Sequence, residues 1–571
     1  MQQFKTEFMP GINLFSKNRF KPSSEYNSNN LEQHTLFNNP DFELSIQVHD
    51  NYPYTSFSIG DQYDITIEGL VYNFDQDTYI KKVISLLRSH TELADYIKIL
   101  DGDFIIVVHD KKINQITTIN DSFSRLPMYL WSDENDFILT RNISFITQQI
   151  ELKYSQIALA ENLLFGFNFG NTTIWEDIER IPPNGIITID IQKLKIEVKS
   201  YFDIGPIDGG GSIEDVIEEF VEVYDKSLET RLKKLKSPTI SMSGGLDSRF
   251  VAAGISKSNT KVNSITFGRN DNSYNADLKY SQEIMKRLKM DKGHRSYKLP
   301  TETKNDLEEL NDLKQSLNAL SMSFMMPYLR ERRQLKEDVI TGFGGDTYLV
   351  GMHPLRNMFT TEQLCNYIIK SWALCSVKTA ATIANITEKE LKERILNHVK
   401  AFPYTSMNDN YTYYMIRHHA PNYAYEGEDR IRHFAWSTAP IYNPKLLRLG
   451  LSISQKKKKY GRFYKRLFDL YPGNLNDIVN PNWLVNLNNL SAIKKIHIKQ
   501  TLKTRLPHSV LLKHHSEDLS SFQCYDDLID IKSRFDRQTL NVDKLPEQMK
   551  IKFYWQIYSI MVMIDKNKAI H

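Results

Sequence analysis

The six residues Ser243-Gly-Gly-Leu-Asp-Ser248 restrict what this chain can fold into more than any other stretch. An apolar run, 238–242, precedes them, and a helix-forming run, 249–256, follows. A strand, a glycine turn and a helix start, in that order, build a cradle for an anion. The glycines let the backbone approach closely, and the amides and macrodipole of the helix N-terminus favour negative charge. Ser243 and Ser248 add hydroxyl donors. Asp247 is a hard oxygen ligand of the type that holds Mg²⁺ beside phosphates. No Gly-Lys-Ser/Thr follows at the spacing of a Walker A loop. A capped turn is the reading without function; the full string in its strand–turn–helix setting favours the functional one.

The string resembles the signature of the PP-loop ATP pyrophosphatases, which cleave ATP to AMP and pyrophosphate. The surrounding pattern agrees with such a domain. After the glycine-rich stretch 205–212, a linker by composition, helices and strands alternate. A helix is expected over 213–235, strands over 238–242 and 262–267, a helix near 276–288, a short strand near 296–299, helices to about 335, and a strand over 338–341. This rhythm implies a parallel sheet, whose ligands bind beyond the carboxyl ends of its strands. A second glycine-rich loop, Thr341-Gly-Phe-Gly-Gly-Asp346, directly follows the last of these strands. Asp247 and Asp346, on neighbouring strand ends, are thus placed to share one Mg²⁺ bridging the phosphates of ATP.

Ahead of the linker, residues 42–203 read as β-rich, with polar turns between short apolar runs and one helical stretch over 77–89. The C-terminal third, 355–571, reads as mostly helical. Its most apolar run, 554–564, is too short to span a membrane and is expected to be a buried helix. A net charge of +3 on 571 residues gives no electrostatic case for nucleic acid or membrane as the main partner. The three cysteines, Cys365, Cys375 and Cys524, have no CxxC spacing. The N-terminus carries no apolar signal core. A cytoplasmic protein without membrane insertion is expected.

The two loops together resemble the asparagine synthetase superfamily. Further pieces agree: Asn275-Ala-Asp-Leu-Lys-Tyr-Ser-Gln-Glu283, Leu100-Asp-Gly-Asp-Phe104, Asn120-Asp-Ser-Phe-Ser-Arg-Leu-Pro-Met-Tyr129, and Ala439-Pro-Ile-Tyr-Asn-Pro444. The resemblance implies an α/β protein: a degenerate N-terminal hydrolase-like αββα sandwich over 41–204, an extension over 1–40 before it, the linker 205–212, and an ATP-binding synthetase domain over 213–571. It implies ATP and Mg²⁺ as cofactors. Met242 and Phe267 would border the adenine, and Thr341 and Gly342 the ribose and phosphates. Ser243, Gly244, Gly245, Asp247 and Ser248 would hold the pyrophosphate.

The departures narrow the function. Glutamine-hydrolysing relatives attack the amide with an N-terminal cysteine. Here no cysteine precedes Cys365, and Glu68, in Glu68-Gly-Leu-Val-Tyr-Asn73, stands where the oxyanion-hole asparagine would be. No glutaminase activity is expected, and the sandwich is read as a remnant or a docking surface for a partner protein or a second copy. Phe343 stands where asparagine synthetases carry a glutamate and the β-lactam-forming relative a tyrosine. Arg462 aligns with the family's catalytic lysine, four residues before Arg466, with Lys465 as a nearby alternative. Thr438 replaces an arginine. The run 456–459 of four lysines reads as a solvated loop or as an electropositive gate for ATP and pyrophosphate.

The implied activity is an AMP- and pyrophosphate-forming carbon–nitrogen ligase acting on a small-molecule or peptide carboxylate. The amine is free ammonia or an amine of the substrate. Relatives without the cysteine include β-lactam synthetases, lasso-peptide cyclases and surface-polysaccharide proteins, which points to antibiotic or macrolactam formation or to glycan tailoring. The alternatives are an ammonia-using asparagine-synthetase-like enzyme and a non-catalytic nucleotide-binding homologue.

Overall fold

An unbroken apolar run reads as a strand covered on both faces, and Gly102–Asp110 shows this most clearly, with every residue buried. Ile105 and Val107 face one core, shared with Ile12, Leu14, Leu44 and Ile187. Phe104, Ile106 and Val108 face another, shared with Tyr79, Ile80, Val83 and Leu93. Residues 8–20, 31–269, 272–300, 303–315, 324–345, 349–354, 356–503, 506–513 and 516–570 are described by this computed structural model.

The N-terminal half comprises β1 (Gly11–Ser16), β2 (Glu32–Asn38), β3 (Phe42–Val48), β4 (Tyr54–Ile59), β5 (Tyr63–Val71), α1 (Gln76–Leu86), α2 (His90–Ile97), β6 (Gly102–Asp110), β7 (Gln115–Asn120), β8 (Tyr129–Ser132), β9 (Phe137–Thr140), α3 (Ile143–Thr147), α4 (Gln156–Phe165), β10 (Ile178–Arg180), β11 (Gly185–Asp190) and β12 (Lys195–Ser200). The strands form two six-stranded sheets, β10-β8-β9-β1-β3-β2 and β12-β11-β7-β6-β5-β4. All neighbours in both are antiparallel. Helices α1 and α2 cover the outer face of the second sheet. Phe15, Tyr129 and Ile138, on the outer face of the first, pack with Ile146, Leu159 and Leu163 of α3 and α4. This is the expected αββα sandwich.

Its first strand lies inside the stretch expected to be an extension. β1 runs between β3 and β9, with Leu14 opposite both Leu44 and Leu139. The signal was present in Gly11-Ile-Asn-Leu-Phe-Ser16, six residues that are all buried. The helical stretch expected over 77–89 is α1, which ends at Leu86; a second helix, α2, follows it after a short turn.

The second half opens with α5 (Ile217–Lys234), β13 (Pro238–Ser241), α6 (Leu246–Ile255), β14 (Asn263–Gly268), α7 (Asn272–Arg287), β15 (His294–Lys298), α8 (Lys304–Lys314), α9 (Met326–Gln334) and β16 (Asp338–Ile340). With β17 (Ser437–Thr438) the strands form a parallel sheet in the order β15-β14-β13-β16-β17. The strand order reverses between β13 and β16, so the crevice of such sheets opens there. Helices dominate beyond β17, ending in Ile551–Ile570, whose residues 553–564 are all buried. No helix among the described residues is long and apolar enough to cross a membrane.

The glycine-rich linker is stitched down rather than free. Gly211 bridges Ile453 in parallel, and its amide donates to the Ser452 carbonyl at 3.1 Å. A Cβ on Gly209 would lie 2.8 Å from that same oxygen, so the close approach requires glycine.

The two halves meet through buried charge. A long helix runs from Met407 through a π-helical stretch, Met415–Tyr425, that accommodates Pro421, into the helix Glu426–Phe434. Glu426, Glu428, Asp429 and Arg432 on its last section are all buried. Arg141 of the sandwich donates to Asp429 at 2.6 and 3.2 Å and to Glu68 at 2.9 Å. Lys314 of α8 reaches Asp429 at 2.5 Å and Glu426 at 2.8 Å. Burial pushes the Asp429 carboxyl up, but Arg141 and Lys314 more than offset this and hold it far below the usual carboxylate range. Asp101, immediately before β6, takes a two-pronged contact from Arg231 of α5 at 2.5 and 2.6 Å.

Removing one partner of such a pair leaves a charge buried alone. We expect Arg141→Met to cost about 3–5 kcal/mol, seen as a lower midpoint of thermal unfolding of the full chain. A variant melting with the parent would show that the pair contributes nothing to stability.

Candidate nucleotide site

The first loop is shaped by its own hydroxyls. Ser243 and Ser248 approach to 3.0 Å between their Oγ atoms, and the Ser248 hydroxyl donates to the Ser243 carbonyl at 3.1 Å. The Gly245 amide donates to Ser243 Oγ at 3.2 Å, and the Gly244 amide to Asp277 Oδ1 at 2.9 Å. Gly245 caps α6 in an extended conformation, so the first-turn amides of that helix lack partners within it.

Arg249, one residue past the motif and fully buried, fastens the loop from behind. It donates to the carbonyls of Gly244 at 2.9 Å, Leu475 and Ile478 at 3.0 Å each, and Val479 at 3.1 Å. Burial lowers its pKa to about 10, so it stays charged near neutrality. Pro481, from the same distant segment, sits so close that a Cβ on Gly244 would lie 2.9 Å from its Cγ.

The second loop follows β16 and abuts the first. A Cβ on Gly342 would meet the Ser248 nitrogen at 2.7 Å and the Asp247 carbonyl carbon at 2.8 Å. Gly344 has φ +105° and lies against the Tyr442 ring. Thr341 donates to Glu428 Oε1 at 3.3 Å, and Glu428 also pairs with Arg125 of the sandwich. Asp346, expected as the second metal ligand, lies outside the described residues.

Both loops open on one cavity of about 630 Å³. Met242, Ser243, Asp247 and Ser248 line it from the first loop, Phe267 from β14, and Thr341 and Gly342 from the second loop. Gly244 and Gly245 belong to the loop but do not line the cavity. Phe267 stacks on Tyr328 with ring centroids 4.0 Å apart and planes 19° apart, giving an aromatic wall of the kind an adenine packs against. Phe343 lines the cavity and is 36% exposed.

The structure does not bring Arg462 to this cavity. It is exposed, and its guanidinium lies 5.7 Å from the Tyr460 ring centroid. The helix Arg462–Asp469 turns Phe463, Tyr464, Leu467 and Phe468 inward instead. Tyr464 donates to Asp247 Oδ1. Sequence reading aligned the basic positions of this helix and passed over its inward tyrosine. The lysine run is neither a fully solvated loop nor an open gate. Lys458 is buried, donates to the Gly450 carbonyl at 2.6 Å, and is brought down to about 7 by burial. Thr438 is buried and donates to Asp103 at 2.8 Å. Asp277, Tyr328 and Arg249 also escaped the sequence reading, although Asp277 falls in a segment quoted for its resemblance.

Among the described residues, no group of three or more His, Cys, Asp or Glu side chains is arranged to hold a metal. Mg²⁺ needs one or two carboxylates and completes its shell with phosphate and water oxygens. Asp247 and Asp277, both in the cavity wall, supply hard oxygens of this kind.

Residues 57–202 match the family model described as a glutamine amidotransferase domain, and residues 219–449 match the one described as asparagine synthase. No curated protein matches the chain. Among solved structures, the allosteric regulatory enzyme of purine biosynthesis is similar at 9% identity over 41% of this chain and 54% of that one, with a TM-score of 0.20. Glutamine phosphoribosylpyrophosphate amidotransferase from B. subtilis, complexed with ADP and GMP, is similar at 8% identity over 58% and 69%, also with a TM-score of 0.20. The chain thus spans about half the length of the first of these. The fold rests on the strand order, not on these likenesses.

The contact between the loops yields a test. Gly342→Ala forces a Cβ against backbone that has no room to move. Overpacking of this kind costs about 1–3 kcal/mol, or roughly tenfold or more in affinity. We expect ATP binding, measured by calorimetry, to weaken by that factor. Unchanged affinity would mean that the nucleotide does not depend on this junction.

Proposed function

We propose that this chain, which belongs to the asparagine synthetase-like superfamily with a glutaminase-like N-terminal domain, activates a carboxylate with ATP as an acyl-adenylate and passes it to an amine without hydrolysing glutamine. The superfamily's reaction in general is ATP-dependent amide formation. The observation that carries the finer reading is the meeting of both loops, the α6 N-terminus and Asp247 around one cavity at the switch point of the parallel sheet.

In the first step a substrate carboxylate oxygen attacks the α-phosphorus. The bond from that phosphorus to the bridging oxygen breaks, and pyrophosphate leaves. The α6 amides and the Ser243 and Ser248 hydroxyls bind the departing charge. Asp247, with Asp277 or Asp346, would hold Mg²⁺, which offsets charge on the phosphates. Tyr464 fixes the Asp247 carboxylate in place. In the second step an amine attacks the acyl carbon, AMP leaves with the acyl oxygen, and the amine loses a proton.

Glutamine independence is supported by what fills the sandwich. Glu68 is fully buried and accepts from Arg141, from Tyr52 at 2.5 Å and from the Ile12 amide at 3.0 Å. A Cβ on Gly11 would meet Arg141 and Glu68 at 2.6–2.7 Å, so the interior is packed solid there. All three cysteines are buried. Burial pushes Cys365 up to about 12 and Cys375 higher still, away from the thiolate a nucleophile requires. In this reading the amine is an amine of the substrate or free ammonia, and the setting is natural-product or surface-glycan tailoring.

ATP–pyrophosphate exchange with pools of carboxylic acids and peptides tests this reading. Exchange should appear with one pool, and Asp247→Asn should lower it on the order of 100-fold. Glutamine should yield no glutamate in the same mixture. Exchange indifferent to Asp247 would remove the metal assignment. ATP binding with no exchange in any pool would mark a non-catalytic homologue.

A further inference from the structure

Between Asp477 and Glu517 the chain has no acidic residue, yet it carries Lys494, Lys495, Lys499, Lys503, Arg505 and Lys513. In a chain of net charge +3 this is a strong local concentration of one sign. The helix Leu490–Lys503 lies within it. Its inner side is settled: Ile493 is fully buried, and the His497 ring lies 5.5 Å from Tyr460 and 5.6 Å from Trp483.

Its outer side carries Ile498, 41% exposed, and Leu502, 51% exposed, where a soluble surface helix would carry polar groups. Lys494, Lys495 and Lys499 are exposed on the same side. At 3.6 residues per turn these five positions fall within an arc of about 140°, with the two apolar side chains between Lys494 on one flank and Lys495 and Lys499 on the other. Leu506 and Val510, 42% and 44% exposed, continue the apolar series just past the helix. Single exposed apolar residues are ordinary. Four at intervals of four, in a stretch free of acids and flanked by lysines, call for a partner that is both apolar and anionic.

We propose that the outer face of the helix Leu490–Lys503 docks this protein on the surface of an anionic lipid bilayer. Two observations choose the bilayer over an acidic polypeptide or a nucleic acid. The surface is the convex face of a helix, whereas peptides are taken into grooves or onto open strand edges. The centre of the face is aliphatic, which a phosphodiester backbone does not match. A bilayer accepts both features: Ile498 and Leu502 enter the acyl boundary while the lysines reach out to the headgroup phosphates. The same acid-free stretch begins with the segment that Arg249 and Pro481 tie to the first loop. This inference is independent of the catalytic reading.

Co-sedimentation of the full chain with vesicles tests it. Binding is expected to vesicles of phosphatidylcholine with added phosphatidylserine, to be weak on phosphatidylcholine alone, and to fall as salt rises. The triple variant Lys494→Gln, Lys495→Gln, Lys499→Gln should bind about 100-fold more weakly. Ile498→Ser with Leu502→Ser should also bind more weakly at unchanged charge. These side chains are exposed, so each variant should melt with the parent. Equal binding to both vesicle types, binding to neither, or variants that bind like the parent would overturn the proposal. So would capture on polyglutamate or single-stranded DNA that the lysine variant loses, with no vesicle binding.

Discussion

The helix Glu426–Phe434 is the constraint on which the rest depends. Each charge taken out of water costs several kcal/mol unless a partner waits for it. Three carboxylates of this helix, Glu426, Glu428 and Asp429, are buried, and their partners come from both halves of the protein: Arg141, Arg125 and Arg180 from the sandwich, and Lys314 from α8. Apolar contact alone would let the halves slide against each other. Paired charges do not, because any shift leaves ions unmatched. Glu428 also accepts from Thr341, and Ile431 lines the cavity. The element that sets the junction thus also sets one wall of the cavity between the two loops.

The interior of the sandwich is closed by buried charge. Glu68 and Arg141 bond each other there, and Glu68 also accepts from Tyr52 and from the Ile12 amide. The domain then contributes through its far side: Asp101 grips Arg231 of α5, and Asp103 meets Arg125, Thr438 and Tyr72 at 3.0, 2.8 and 3.2 Å. These contacts brace the second half of the chain against the sandwich.

How much was legible depended on whether the determining interaction was local. The first loop could be read because glycines and hydroxyls at fixed offsets dictate its conformation within a few residues. The parallel sheet could be read from its alternation of strands and helices. Arg462 could not be placed, because which side of a short helix faces the cavity is decided by packing against Phe220 and Phe250, far away in sequence. β1 carries its own short apolar signal, but its partners β3 and β9 lie about 30 and 125 residues on, so its place inside the sandwich is not local information. Arg249 and Asp277 act through partners over 200 and about 30 residues away, a distance at which a single sequence carries no signal.

The glycine-rich stretch 205–212 has a consequence for how the two halves are joined. Composition marks it as the swivel of the molecule. The backbone of 209–211 instead lies against 451–454 as closely as a sheet neighbour, and at Gly209 glycine is there to permit contact rather than motion. The place where the chain passes from one half to the other is therefore a suture, and any opening of the protein must begin elsewhere.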